Sequence, residues 1–118
     1  MCVLNGYTFY KNRRRIMALH KTYSKDKTKC GVTFELSAEA AKDAEQVWLA
    51  GDFNSWSSVD TPMKKQKNGS FKVKVTLEAG HEYQFRYLLD GKRWENDGEA
   101  DKYVPAPFSY TDNSVVIV

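Results

Sequence analysis

From Lys29 onward, apolar side chains recur at every second position. Cys30, Val32, Phe34 and Leu36 share one parity, with Gly31, Thr33 and Glu35 on the other, the pattern of a strand buried on one face. Val47–Gly51 predicts the next strand, stopped by the polar turn 52–58. The Ala- and acid-rich residues 37–45 between them suit a short helical turn or an exposed loop. Asn68-Gly69, between residues 63–67 and 70–77, predicts a hairpin with a type I′ turn, since both residues tolerate positive φ. In its second arm Phe71, Val73, Val75 and Leu77 face inward, while Lys72, Lys74 and Thr76 face water. Tyr83, Phe85, Tyr87 and Leu89 then share one face and Gln84, Arg86 and Leu88 the other, before Asp90-Gly91 turns the chain into Lys92-Arg93-Trp94. Residues 95–112, broken by Pro105 and Pro107, read as irregular, and residues 115–118 form an apolar last strand. Roughly six or seven short strands with no long amphipathic helix predict an all-β fold, an antiparallel β-sandwich.

Residues 1–28 have no such period. They are dense in Lys, Arg, Asn, Thr and Ser and predict a flexible basic N-terminal extension, with the sandwich domain over residues 29–118; Met17 is an alternative start of translation. The extension changes how the charge is read. Residues 1–30 hold eight basic residues against one acid, net +7, and the remainder holds ten against fourteen, net −4. A nucleic-acid-binding domain carries its cations on the folded part, so this distribution argues against a nucleic-acid partner and for a solvated tail. At 118 residues the chain is long enough for one core and too short for a catalytic domain with a separate substrate domain.

Cys2 and Cys30 lie in no Cys-x-x-Cys or Cys/His pattern, so no metal site is expected. The N-terminal residues lack a continuous apolar stretch of the signal-peptide type, and no apolar run approaches the length of a membrane span, so no membrane partner is expected. These features predict a cytoplasmic protein with two reduced thiols. Asn68-Gly69-Ser70 matches a glycosylation sequon that such a protein would not use.

The string Val47-Trp48-Leu49-Ala50-Gly51-Asp52-Phe53-Asn54-Ser55-Trp56 resembles the V-x-L-x-G-x-F-N-x-W signature of carbohydrate-binding module family 48, the glycogen-binding and isoamylase N-terminal domains. The likeness continues in order through the Asn-Gly hairpin, the Gly80 to Phe85 strand and the turn Leu89-Asp90-Gly91. It ends with a Trp just beyond that turn and a Thr-x-Asn before the last strand, and so spans about residues 30 to 118. It implies an immunoglobulin-like sandwich of the early-set type and a partner that is an α-glucan polysaccharide. In the family's glycogen-binding domains two tryptophans stack on glucose rings, while a basic residue, a threonine and an asparagine bond the hydroxyls. Trp56 and Trp94 match the tryptophans, the second with one extra residue after Asp-Gly; Arg86 falls where those domains have lysine, and Thr111 and Asn113 match the Thr-x-Asn. The family's leucine that reaches into the sugar falls near Ser109, so that contact is missing unless Phe108 or Tyr110 replaces it. Asp97-Gly98 stands where Asp-Pro is common.

Chemistry alone leaves more open. A glucan offers C–H faces and hydroxyl rims, so its receptor needs flat aromatic platforms edged by donors and acceptors. Trp56, in a polar turn, and Trp94, at a hairpin end, are each either such a platform or a packing residue. Trp48, mid-strand, reads as sheet packing. Arg86 suits two vicinal hydroxyls or an ordinary cross-strand ion pair, and Thr111 and Asn113 serve equally as turn residues. His20 and His81 have no partner spacing and are expected at the surface.

Glu95, Asp97, Glu99 and Asp101 fail as an EF-hand loop: with Gly98 sixth, Arg93 and Val104 would occupy positions that need carboxylates. They read as solvated acids rather than a glycosidase pair. No phosphate loop or nucleophile elbow is present, so no catalytic residue and no cofactor is expected. The sequence thus supports a non-catalytic α-glucan-binding module. The competing reading is a protein-interaction or regulatory domain of the same fold, partnering a glycogen-metabolising enzyme.

Overall fold

The computed structural model describes residues 19–106 and 112–118. They form two antiparallel sheets packed as a sandwich. The first sheet has β1 (Leu19–Tyr23), β2 (Lys29–Leu36), β5 (Phe71–Glu78) and β4 (Lys64–Lys65) side by side in that order. In the second, β3 (Val47–Gly51), β6 (Glu82–Leu89), β9 (Asp112–Ile117) and β8 (Lys102–Pro105) follow one another. The short strand β7 (Arg93–Glu95) pairs with the C-terminal half of β6. Among the described residues no helix is long and apolar enough to cross a membrane.

Alternation places the core as expected. Cys30, Val32, Phe34 and Leu36 of β2, Phe71 and Leu77 of β5, Val47 and Leu49 of β3, and Phe85, Tyr87 and Leu89 of β6 are buried between the sheets. Phe34 meets Phe85 across the sandwich edge-to-face, with ring centroids 5.0 Å apart. His20 and His81 are exposed. In the 37–45 connection the chain makes turns, and Ala41 and Ala44 close the sandwich at that end.

Three expectations change. Leu19–Tyr23, assigned to the extension, is instead an edge strand paired with β2 from Leu19↔Phe34 to Tyr23↔Cys30. Only Leu19 is buried among its side chains, and the inward-parity Lys21 reaches across to Asp101 at 2.7 Å. A strand held by backbone pairing and one ion pair shows no apolar period. Residues 1–18, Met17 and Cys2 included, lie outside the described residues.

The Asn68-Gly69 hairpin is not type I′. Its register, Lys65↔Phe71, leaves a longer loop in which Gly69 N–H bonds Gln66 O at 3.0 Å and Gly69 alone takes positive φ, at 90°. This is a type I turn followed by a left-handed glycine, the usual three-residue hairpin. Within the stretch 95–112, read as irregular, Lys102–Pro105 instead form β8, an edge strand whose end tolerates Pro105; residues 107–111 lie outside the described residues.

Candidate functional site

The segment after β3 folds around its own motif. A Cβ on Gly51 would lie 2.5 Å from Gln84 O and 2.9 Å from the Phe85 Cβ, so only glycine allows β3 and β6 to approach here. Asn54 fixes the 3-10 turn Asp52–Asn54: its Oδ1 accepts from Gly51 N–H at 3.0 Å, and its Nδ2 donates to Leu49 O and Thr61 Oγ1 at 2.9 Å. Asp52 bridges two elements, accepting Trp56 Nε1–H at 2.9 Å and Gln84 N–H at 2.8 Å. Ser55 and Trp56 both take positive φ, 56° and 57°. For two side-chain-bearing residues in succession this is a strained backbone, of the kind concentrated at functional positions.

The outward face of the second sheet carries the other candidates. Cross-strand register sets Trp48 opposite Leu88 and Leu88 opposite Trp94, one row across β3, β6 and β7. Flanked by both indoles, Leu88 is 5% exposed although it faces away from the core. Trp94 at the end of the row is 45% exposed. Its place depends on Lys92. Asp90 and Gly91 both take positive φ, 54° and 70°, and Lys92 N–H closes the turn on Leu89 O. The strands then pair as Leu89↔Arg93, so Lys92 is the extra residue that brings Trp94, rather than Arg93, opposite Leu88. Asp90 anchors the turn by accepting Glu45 and Gln46 N–H at 2.9 Å, bonds that hold its carboxyl below the usual range.

Beside that row, Arg86 Nε donates to Asn113 Oδ1 at 2.6 Å, and Asn113 Nδ2 donates to Gln84 Oε1 at 2.9 Å. Arg86 and Trp94 line one groove of about 460 Å³ together with Glu95, Asn96, Asp97, Gly98 and Tyr103. Two aromatic rings, one guanidinium and several carboxylate or amide groups surround it, a lining suited to a neutral, hydroxyl-rich ligand.

Asp97 is not the solvated acid expected from its loop. It is 1% exposed, accepting Tyr87 Oη–H at 2.5 Å and Glu99 N–H at 2.7 Å, and its own N–H donates to Ser114 Oγ at 2.8 Å. Burial pushes its pKa up to about 6 against the opposing pull of these donors. The fully buried Tyr87 phenol is held well above its ordinary value, chiefly by desolvation and then by the Asp97 charge. Tyr103 Oη–H in turn bonds the Asp97 carbonyl at 2.5 Å. Asp97 is the hub that fixes the 96–101 loop.

The structure therefore gathers Trp94, Arg86 and Asn113 on one face. Trp56 does not line the groove, although Asp52 and then Gln84 connect it to the same polar network. Thr111, with Phe108, Ser109 and Tyr110, lies outside the described residues. Tyr103, Asn96 and Asp52 escape a sequence reading; only their nearness to the Trp and Asp-Gly landmarks could have flagged them. Among the described residues no cluster of His, Cys, Asp and Glu could hold a metal ion.

Comparison with known families gives a match to carbohydrate-binding module 48 (isoamylase N-terminal domain) over residues 20–109, from within β1 to beyond β8. No curated protein matches the chain. Since that match takes in three-quarters of the sequence together with Trp56, Arg86 and Trp94, the chain belongs to the carbohydrate-binding module 48 family.

Proposed function

We propose that this domain is a non-catalytic module that binds α-1,4-glucans of the glycogen or starch type on the outward face of its second sheet. Trp94 supplies the stacking platform, Arg86, oriented by the Asn113 amide behind it, bonds hydroxyls, and Trp56 adds a second aromatic contact; a hydroxyl contact from Thr111, outside the described residues, is what the family resemblance implies. The observation that carries this reading is the half-exposed Trp94 indole lining the same groove as Arg86, whose guanidinium Asn113 already orients. An apolar ring left in water is unfavourable until a ligand covers it, and a pyranose C–H face is a suitable cover.

Among the described residues the groove is lined by one cation, Arg86, beside the carboxyl groups of Glu95 and Asp97, a lining that favours a neutral glycan over a polyanion. The free, buried Cys30 thiol suits a reducing, cytoplasmic compartment. Co-sedimentation of the purified protein with glycogen tests the function: binding that soluble maltoheptaose competes away supports it, and protein left wholly in the supernatant refutes it.

A further inference from the structure

Trp48 shares a row with Trp94. It stands opposite Leu88, Leu88 stands opposite Trp94, and on its other side Trp48 bridges to Pro62, so four apolar residues cross the outward face of the second sheet in line. Pro62 is exposed, Trp48 half-buried and Trp94 45% exposed; only Leu88, between the two indoles, is closed off from water. The neighbouring row on the same face is polar. Two positions along β6 from Leu88, Arg86 stands opposite Ala50 and bonds Asn113.

The indole N–H groups separate this row from Trp56. Among the described residues neither Trp48 Nε1–H nor Trp94 Nε1–H has a hydrogen-bond partner, whereas Asp52 takes that of Trp56. Covering Leu88 calls only for apolar bulk, and an indole N–H that is buried for packing ordinarily finds an acceptor. These two donors are left for water or for a ligand that carries hydroxyls. An uncharged apolar line with open donors, bordered by a guanidinium, matches the C–H faces and hydroxyl rim of a glucan laid across the strands.

We infer that Trp48 is a further aromatic platform of the glucan site, and that the glucan runs from Trp94 across the strands over Leu88 toward Pro62. The inference rests on the α-glucan reading above and gives the bound chain a direction. β3 and β7 lie two strand spacings apart, roughly 9 to 10 Å, so the two indoles contact different pyranose rings of one chain.

Calorimetric titration of the full chain with maltoheptaose, for the wild type, Trp48→Leu and Trp94→Ala, tests this together with intermolecular proton NMR on the wild type. Trp48→Leu keeps apolar cover over Leu88 and removes the ring face and its N–H. It should weaken binding about three-fold to ten-fold, the range for one lost stacking contact. In the wild-type complex, cross-peaks to sugar C–H protons should arise from the ring protons of both Trp48 and Trp94, a signal that a purely packing role for Trp48 would not produce. Wild-type affinity in Trp48→Leu, with binding lost in Trp94→Ala, would overturn the inference and leave the glucan reading standing. No binding by the wild type would overturn both. If Trp48→Leu fails to fold, the cross-peaks decide: sugar contacts from Trp94 with none from Trp48 would overturn the inference.

Discussion

Arg86 and Asn113 meet across the neighbouring strands β6 and β9, the guanidinium Nε donating to the amide oxygen at 2.6 Å. Asn113 is 6% exposed and passes the connection on to Gln84, so the basic group proposed to bond the glucan is held from behind by a buried amide. A guanidinium fixed in this way keeps its remaining N–H groups directed, and less conformational freedom is lost when hydroxyls replace water.

Asn113→Ala should therefore weaken glucan binding while also lowering stability by about 1 to 3 kcal/mol, because two polar partners lose a buried hydrogen bond. Arg86→Ala should reduce binding at least as much with a smaller stability loss, since Arg86 is only partly buried. Denaturant midpoints set beside glycogen retardation separate the two effects.

Trp56 combines a positive φ with an indole N–H bound to Asp52. Trp56→Ala removes that bond and should cost about 1 kcal/mol in the melt, a few degrees for a domain of this size. It should also weaken glucan binding several-fold. A native-like melt with unchanged binding would remove Trp56 from the site.

Burial raises the Asp97 pKa from 3.8 to about 6. Between those values the folded protein holds a proton that the unfolded chain has released. The group's contribution is thus greatest below pH 4 and declines as pH rises through 6, by about 3 kcal/mol at 1.36 kcal/mol per pKa unit. Titratable groups elsewhere cancel in a comparison with Asp97→Asn. The unfolding free energy of the wild type, measured against that variant, should fall by roughly this amount between pH 4 and pH 7. Parallel pH profiles for the two proteins would contradict the assignment.

Leu19–Tyr23 supplies a whole edge of the first sheet and the Lys21–Asp101 ion pair. Removing residues 1–28 should accordingly lower the melting midpoint by several degrees, through the exposure of β2 and loss of the Leu19 contact. An unchanged midpoint would show that β1 adds nothing to the fold.

The parity of Cys30 to Leu36, of Phe71 to Leu77 and of Tyr83 to Leu89 was legible in the sequence because each strand buries one face, and burial is what a period of two records. The outward direction of Arg86 and Leu88 follows from the same period. Three features were not legible, for separate reasons. β1 has one buried residue and hence no pattern. The hairpin at Asn68-Gly69 depends on whether two or three residues span the turn, which composition does not state. Asp97 is buried because Tyr87, ten positions earlier in the chain, offers it a donor from inside the core. A local run of acids carries no trace of that partner.

Trp94 is the residue through which we propose that the outward face of the second sheet binds α-glucan. Native gel electrophoresis with and without glycogen cast into the gel, run on the wild type and on Trp94→Ala, tests it most directly. Trp94 is half exposed, so its removal should leave the melting curve native-like, whereas a buried Trp would cost about 3 to 5 kcal/mol. The wild type should be strongly retarded by glycogen, and a normally folded Trp94→Ala should show retardation that falls by at least several-fold in apparent affinity. A wild type that migrates identically in both gels, or a folded Trp94→Ala retarded as strongly as the wild type, would contradict it.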